Sequence, residues 1–126
     1  MIKDTVFPAL TGTTAHYAGN GRKFGYPTAN IASDTDLTDG VYFGYASLGQ
    51  YTDHPAMIFI GTPVTVGDTL RRVEAHLMDI PDEDLYDLQL TLIPKVFHRP
   101  NQKFDSIDEL MAAMKDDEAK AREWFK

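Results

Sequence analysis

A chain of 126 residues, 43% hydrophobic and 25% charged, is long enough to bury one core and too short for two domains. The absence of cysteine removes disulfides, thiolate zinc sites, iron–sulfur clusters and thiol nucleophiles. A net charge of −7, with basic residues adjacent only at Arg22-Lys23 and Arg71-Arg72, argues against nucleic-acid binding; any phosphate ligand must be met by a cation or by backbone amides.

Along the chain, short apolar runs punctuated by glycine and proline continue to about Lys103, the pattern of a small all-β barrel or sandwich. No run is long enough to span a membrane, and Met1 to Thr5 open no secretory leader, so a cytoplasmic protein is expected. The first segment with chemical content is Gly19-Asn20-Gly21-Arg22-Lys23-Phe24-Gly25. Its glycines permit positive φ and close approach to backbone amides, and Arg22 and Lys23 add charge. The segment is either a phosphate cradle or a plain hairpin loop. It is not a P-loop, because no Gly-Lys-Ser/Thr follows and the next element reads as a strand.

That strand, Tyr26 to Ile31, puts Thr28 and Asn30 on one face. A hydroxyl and an amide oxygen at this spacing suit Mg²⁺ when phosphates supply the negative charge. They equally suit the polar face of an edge strand. The acidic stretch Asp34 to Asp39 reads as a turn, followed by strands at Val41 to Leu48 and Met57 to Ile60. From Arg72 to Met78 the residues alternate, with Val73, Ala75 and Leu77 on one side and Arg72, Glu74, His76 and Met78 on the other. Glu74 is a solvated carboxylate unless its side faces a cleft, where it could accept a proton from an attacking hydroxyl. His76 shares that side. The four histidines have no metal-ligand spacing.

Leu88, Leu90 and Leu92 alternate in a further strand running to Phe97, and Phe97 to Asp105 then forms a loop with two cations and a rigid proline. Ser106 and Glu109 have capping-box spacing, and Ile107, Leu110, Met111 and Met114 form the apolar stripe of a C-terminal helix. Glu118 precedes Arg122 by four residues as a favourable exposed pair, and Trp124 and Phe125 are placed to dock the helix end. Five or six strands and one helix make a barrel with the helix laid against it.

Taken together these segments resemble the riboflavin kinase family. Gly21-Arg22 through Gly25-Tyr26-Pro27-Thr28-Ala29-Asn30 is similar to the pattern Gly-Arg…Gly-Phe-Pro-Thr-Ala-Asn. Asp39-Gly40-Val41-Tyr42, Ile60-Gly61-Thr62, Val73-Glu74-Ala75-His76-Leu77, Asp84-Leu85-Tyr86, Arg99-Pro100, Lys103-Phe104-Asp105-Ser106, Glu109-Leu110 and Asp117 follow in the family's order. The resemblance implies a single domain over residues 1–126, mainly β: a six-stranded Greek-key barrel with a C-terminal α-helix packed against it. It implies transfer of the ATP γ-phosphoryl group to the terminal ribityl hydroxyl of riboflavin, giving FMN and ADP, with Mg²⁺ as cofactor. By match, ATP binding falls on Gly19, Gly21, Arg22, Lys23, Gly25, Thr28 and Asn30, metal binding on Thr28 and Asn30, the catalytic role on Glu74, and flavin binding on Arg99. A monomer is expected, without nucleic-acid or membrane partners and without FAD synthesis.

Several positions depart from the family pattern: Tyr17, Phe59 (often Asn), Val64 (normally Pro), Asp87 (usually Gly) and Asn101 (usually Glu). They fall in loops that would embrace ligands. They keep open a second reading, a relative that binds flavin or nucleotide without catalysis.

Overall fold

The structure, a computed structural model, describes residues 7–15, 25–62 and 71–126. Its strands are β1 (Leu10–Thr13), β2 (Ala29–Ile31), β3 (Gly40–Leu48), β4 (Tyr51–Gly61), β5 (Arg72–Leu77) and β6 (Gln89–Pro100), followed by helix α1 (Ile107–Trp124). They form one antiparallel sheet in the order β1-β6-β3-β4-β5-β2. Strands β3, β4 and β5 run as consecutive hairpins and β2 returns beside β5, which is Greek-key connectivity. The two ends of the sheet nearly close on each other. Just past β1, the Ala15 amide donates to the Asn30 carbonyl at 3.0 Å. Thr14, fully buried at this seam, donates its amide to the Leu88 carbonyl at 2.8 Å and accepts the Leu88 amide on its hydroxyl at 2.9 Å.

Period-two alternation assigns each strand an inside and an outside. Leu10, Ala29, Ile31, Tyr42, Ala46, Leu48, Ala56, Ile58, Ile60, Val73, Ala75, Leu77, Leu90 and Leu92 fill the barrel. The β5 residues expected on one side are the ones inside, and Arg72, Glu74 and His76 point outward. A second cluster lies on the outer face: Tyr26, Val41, Phe43, Met57, Met78 and Ala121, with Phe59, Val96, Met114 and Phe125 packed against it. Helix α1 covers this face, so the barrel has an apolar interior and one apolar outer wall.

Four elements differ from the sequence expectation, the last of them β6, which runs on through the expected loop residues Phe97 to Pro100 because they pair with β3. β4 begins at Tyr51 rather than Met57, because a two-residue turn, Gly49-Gln50 with Gly49 at φ +54, joins it directly to β3. β2 is confined to Ala29–Ile31. Tyr26 and Pro27 stay off the ladder, and the proline has no amide to give to it. β1 was not singled out at all, since Leu10–Thr13 is short and contains one large apolar residue.

Helix α1 starts at the expected cap. Ser106 is extended, with φ −147°, and its hydroxyl accepts the Glu109 amide at 3.1 Å. Glu109 returns its carboxylate to the amide of Asp105, one residue earlier than a capping box requires. The buried line of the helix runs further than the expected stripe. Ile107 is exposed, Leu110, Met111 and Met114 are half-buried, and the fully buried positions are Asp117 and Ala121.

Candidate active site

The site is built on the pairing of β2 with β5. Asn30 lies directly opposite Glu74, with Ala29 opposite Ala75 and Ile31 opposite Val73. Opposed residues share a face, so Asn30 and Glu74 both project outward, their Cβ atoms about 5 Å apart. The two strands have small or branched inward residues at these rungs, which draws them together and leaves the polar pair on the outer side.

Asn30 is buried to 5% exposure although it is on the outer face. Its side-chain Nδ2 donates to the Thr28 carbonyl and to Thr28 Oγ1, each at 3.2 Å. Its Oδ1 is buried and has no hydrogen-bond partner among the described residues. An amide oxygen in that condition costs on the order of 1–3 kcal/mol unless a group beyond the described residues, such as a bound ligand, fills the position. The donor set here is two neutral hard oxygens beside a carboxylate, which fits a hard divalent cation that also carries phosphate oxygens.

Gly25, at the end of the glycine segment, has φ +87, a conformation that suits glycine. Gly19, Gly21, Arg22 and Lys23 lie outside the described residues, as do Tyr17 and Val64. On the far side of Thr28 is a shallow groove lined by Pro27, Thr28, Leu77, Ile80, Pro81, Glu83, Leu85 and Tyr86, about 310 Å³ counting its open mouth. Its wall is mostly apolar.

Arg99 stands apart from this group. The rung that holds Asn30 and Glu74 continues through Phe59 and Val41 to Arg99. Three interstrand spacings separate Glu74 from Arg99, about 14 Å along a flat sheet. Arg99 and its neighbour His98 both turn outward because β6 bulges there: Tyr42 pairs with Phe97 and Val41 with Arg99, leaving His98 as the extra residue. An earlier bulge leaves Lys95 between the pairs Phe43–Val96 and Gly44–Pro94. These bulges reset the alternation that Leu88 to Phe97 suggested.

The guanidinium of Arg99 is bidentate on Asp117, with Nε–Oδ1 and Nη2–Oδ2 both at 2.7 Å. His98 Nε2 lies 3.2 Å from Oδ1, and its ring stacks on Phe43 at 4.5 Å. Arg99 also sits 5.8 Å from the ring centre of Phe104. Asp117 is the residue that sequence reasoning placed without a role. Its legible signal is an acid on the otherwise apolar line Leu110, Met114, Asp117, Ala121.

A further network was read only in part. Glu118 pairs with Arg122 as expected, Oε2 to Nη2 at 2.8 Å, but Glu118 Oε1 also accepts the Tyr26 hydroxyl at 2.8 Å. Arg122 in turn holds Asp79 bidentately. The Arg122 charge, with the Tyr26 hydroxyl, holds Glu118 below the usual carboxylate range, and Arg122 does the same to Asp79. Burial, reinforced by Glu118, pushes Tyr26 up to about 12.

Two departures from the family pattern now have structural meaning. Asp87, where glycine is usual, takes the left-handed conformation with φ +59. Phe59 occupies the rung between Glu74 and Val41 and packs on the outer wall.

Residues 7–125 match the family model described as Flavokinase: Riboflavin kinase. The trifunctional protein RibF/MnmA of Mycoplasmoides gallisepticum is 36% identical over 119 residues, covering 92% of this chain and 18% of that protein. Human riboflavin kinase is 34% identical over 113 residues, covering 82% of this chain and 73% of that protein. A crystal structure of riboflavin kinase from Trypanosoma brucei matches 92% of this chain and 78% of its own with a TM-score of 0.68 at 22% identity, a likeness of fold. The chain thus spans between about a fifth and three quarters of the length of these relatives. With a family model matched over nearly its whole length and a human riboflavin kinase 34% identical to it, the chain belongs to the riboflavin kinase family.

Proposed function

We propose that this domain transfers the γ-phosphoryl group of ATP to the terminal ribityl hydroxyl of riboflavin, releasing FMN and ADP. The observation that carries the reading is the juxtaposition of Asn30 and Glu74 on one rung, with Asn30 Oδ1 buried and without a partner among the described residues and the Thr28 hydroxyl beside it. Thr28 and Asn30 would hold Mg²⁺ and the phosphates, the cation supplying charge neutralisation when bound. Gly25 and the preceding Gly19, Gly21, Arg22 and Lys23 would cover the phosphates. Arg99 would serve the flavin side, fixed by Asp117. The distance along the rung leaves room for a flavin ring with its ribityl chain reaching toward Glu74.

Phosphoryl transfer asks mainly for positioning and charge stabilisation. The ribityl oxygen forms a bond to the γ-phosphorus as the bond to the β,γ-bridging oxygen breaks. Glu74 orients the hydroxyl and takes its proton as the new bond forms. An ordinary carboxylate suffices, because the hydroxyl becomes acidic only late in the transfer. The non-catalytic alternative is not favoured, since the relatives matched are named as kinases.

The reading extends to a monomer in the cytoplasm, without nucleic-acid partners. What supports it is the acidic, cysteine-free composition. No helix among the described residues is long and apolar enough to cross a membrane. The test is incubation with riboflavin, ATP and Mg²⁺ followed by chromatography. FMN and ADP should appear in equal amounts, and an absence of FMN would refute the assignment.

A further inference from the structure

The segment that delivers Thr28 to the site has no strand pairing of its own, because the β2 ladder begins at Ala29. Side chains hold it instead. The Tyr26 hydroxyl donates to Glu118 Oε1 at 2.8 Å, across 92 residues of sequence. The Tyr26 ring meets His76 edge-on, with centroids 5.3 Å apart, and His76 Nδ1 donates to the Pro27 carbonyl at 2.8 Å. Glu118 is fixed by Arg122, whose Nε and Nη2 lie 3.1 and 2.8 Å from Oε2. Arg122 is fixed by Asp79 at 2.8 and 3.0 Å, in the left-handed turn that leaves β5. The ties therefore form a ring. It leaves β5 at His76, crosses Pro27 and Tyr26 to α1, and returns through Asp79 to the end of β5.

We propose that Tyr26 and Glu118 are positioning residues for the nucleotide side of the site: their hydrogen bond clamps the Tyr26–Asn30 segment between α1 and β5 and pre-sets Thr28 and Asn30 for the phosphates. The inference rests on the reading of Thr28 and Asn30 given under the proposed function. The family pattern quoted above carries Phe where this chain has Tyr26. Removing only the hydroxyl oxygen keeps the ring packed on His76. Tyr26 is buried to 8% exposure, so its hydroxyl has little water to turn to in place of Glu118.

The experiment compares the unmodified domain with Tyr26→Phe, Glu118→Ala, the double variant and Asn30→Ala. It reads KM for ATP, KM for riboflavin and kcat, calorimetric binding of ADP with Mg²⁺, and thermal unfolding. Tyr26→Phe should raise KM for ATP and weaken ADP binding by about three- to tenfold. Its kcat at saturating ATP and its KM for riboflavin should stay within twofold of the unmodified domain. Glu118→Ala should reproduce that shift, and the double variant should add no more than twofold to it. If Tyr26→Phe lowers the unfolding temperature but leaves nucleotide affinity untouched, the tyrosine is merely structural and the proposal fails. If Asn30→Ala weakens ADP binding and Tyr26→Phe does not, the proposal fails while the site reading stands. If Asn30→Ala spares ADP and damages only riboflavin use, the site reading fails and the positioning role with it. Should the unmodified domain bind no ADP with Mg²⁺, both fall.

Discussion

At Glu74 the proposed chemistry comes down to one proton. The residue points outward from β5 opposite Asn30, and in the proposed reaction it takes the hydrogen of a hydroxyl approaching phosphates held by Thr28 and Asn30. Glu74→Gln preserves shape and removes the acceptor, and kcat for FMN formation should fall by roughly two to four orders of magnitude. A stopped assay over long incubation measures this, and unchanged kcat would take Glu74 out of the chemistry. Asp87 presents the opposite case, a residue whose backbone rather than side chain is informative. It holds φ +59 while its amide bonds to the Thr14 carbonyl at 3.0 Å. Aspartate tolerates the left-handed region better than most residues but less well than glycine. Asp87→Gly should therefore raise stability by about 0.5–1 kcal/mol, seen as an unfolding midpoint a few degrees higher. The sequence marked this position only as a departure from a pattern, and the backbone angle gives the reason for the pattern.

Among the elements, β5 and β6 contrast in how much of them alternation discloses. β5 is regular, so inside and outside follow directly from the residues, and Glu74 and His76 were assignable to one face. β6 carries two bulges, at Lys95 and His98, and each exchanges the faces of everything beyond it. No local sequence signal announces a bulge that depends on the partner strand. In α1, the period-3.6 stripe located the helix and its cap, but its most buried position is an acid, Asp117. That becomes comprehensible only once His98 and Arg99 are delivered to it by the β6 bulge. Asp117→Ala should cost about 3 kcal/mol, because it leaves the partly buried Arg99 charge without its partner. Urea unfolding should show a lower midpoint at unchanged slope. The same variant should raise KM for riboflavin more than KM for ATP if Arg99 serves the flavin side.

Across the whole molecule, the charged and phenolic groups set the pH limits of the fold. Asp79 and Glu118 are held below their ordinary values by Arg122, so the stability they contribute is present above the unfolded carboxylate range. It is lost as the pH falls through about 4 and below. Tyr26 moves the other way, from an ordinary 10.0 to about 12, and Tyr42 is also raised by burial. The Tyr26 contribution is complete below pH 10.0 and is lost as the pH climbs from there toward about 12, because the unfolded chain ionises first; that of Tyr42 is lost in the same direction. Midpoints of urea unfolding measured against pH should therefore decline at both ends. Tyr26→Phe should flatten the alkaline decline and soften the Glu118 part of the acid one, since the Tyr26 hydroxyl is one of the groups holding Glu118 down. An unchanged alkaline slope in that variant would mean that Tyr26 does not titrate with folding.

The sequence by itself determined the mainly β character, the helix with its Ser106 cap, the inward face of β5, and the residue types from which a phosphate and metal site could be made. These depend on local periodicity, capping and motif order, which are written in consecutive residues. Only the tertiary structure decided that Asn30 meets Glu74 on one rung, that Arg99 is bound to Asp117, and that Tyr26 is anchored on a helix 92 residues away. The reason is that strand register, bulges and long-range ion pairs are set by which surfaces pack together when the barrel closes, and that choice is made by the chain as a whole.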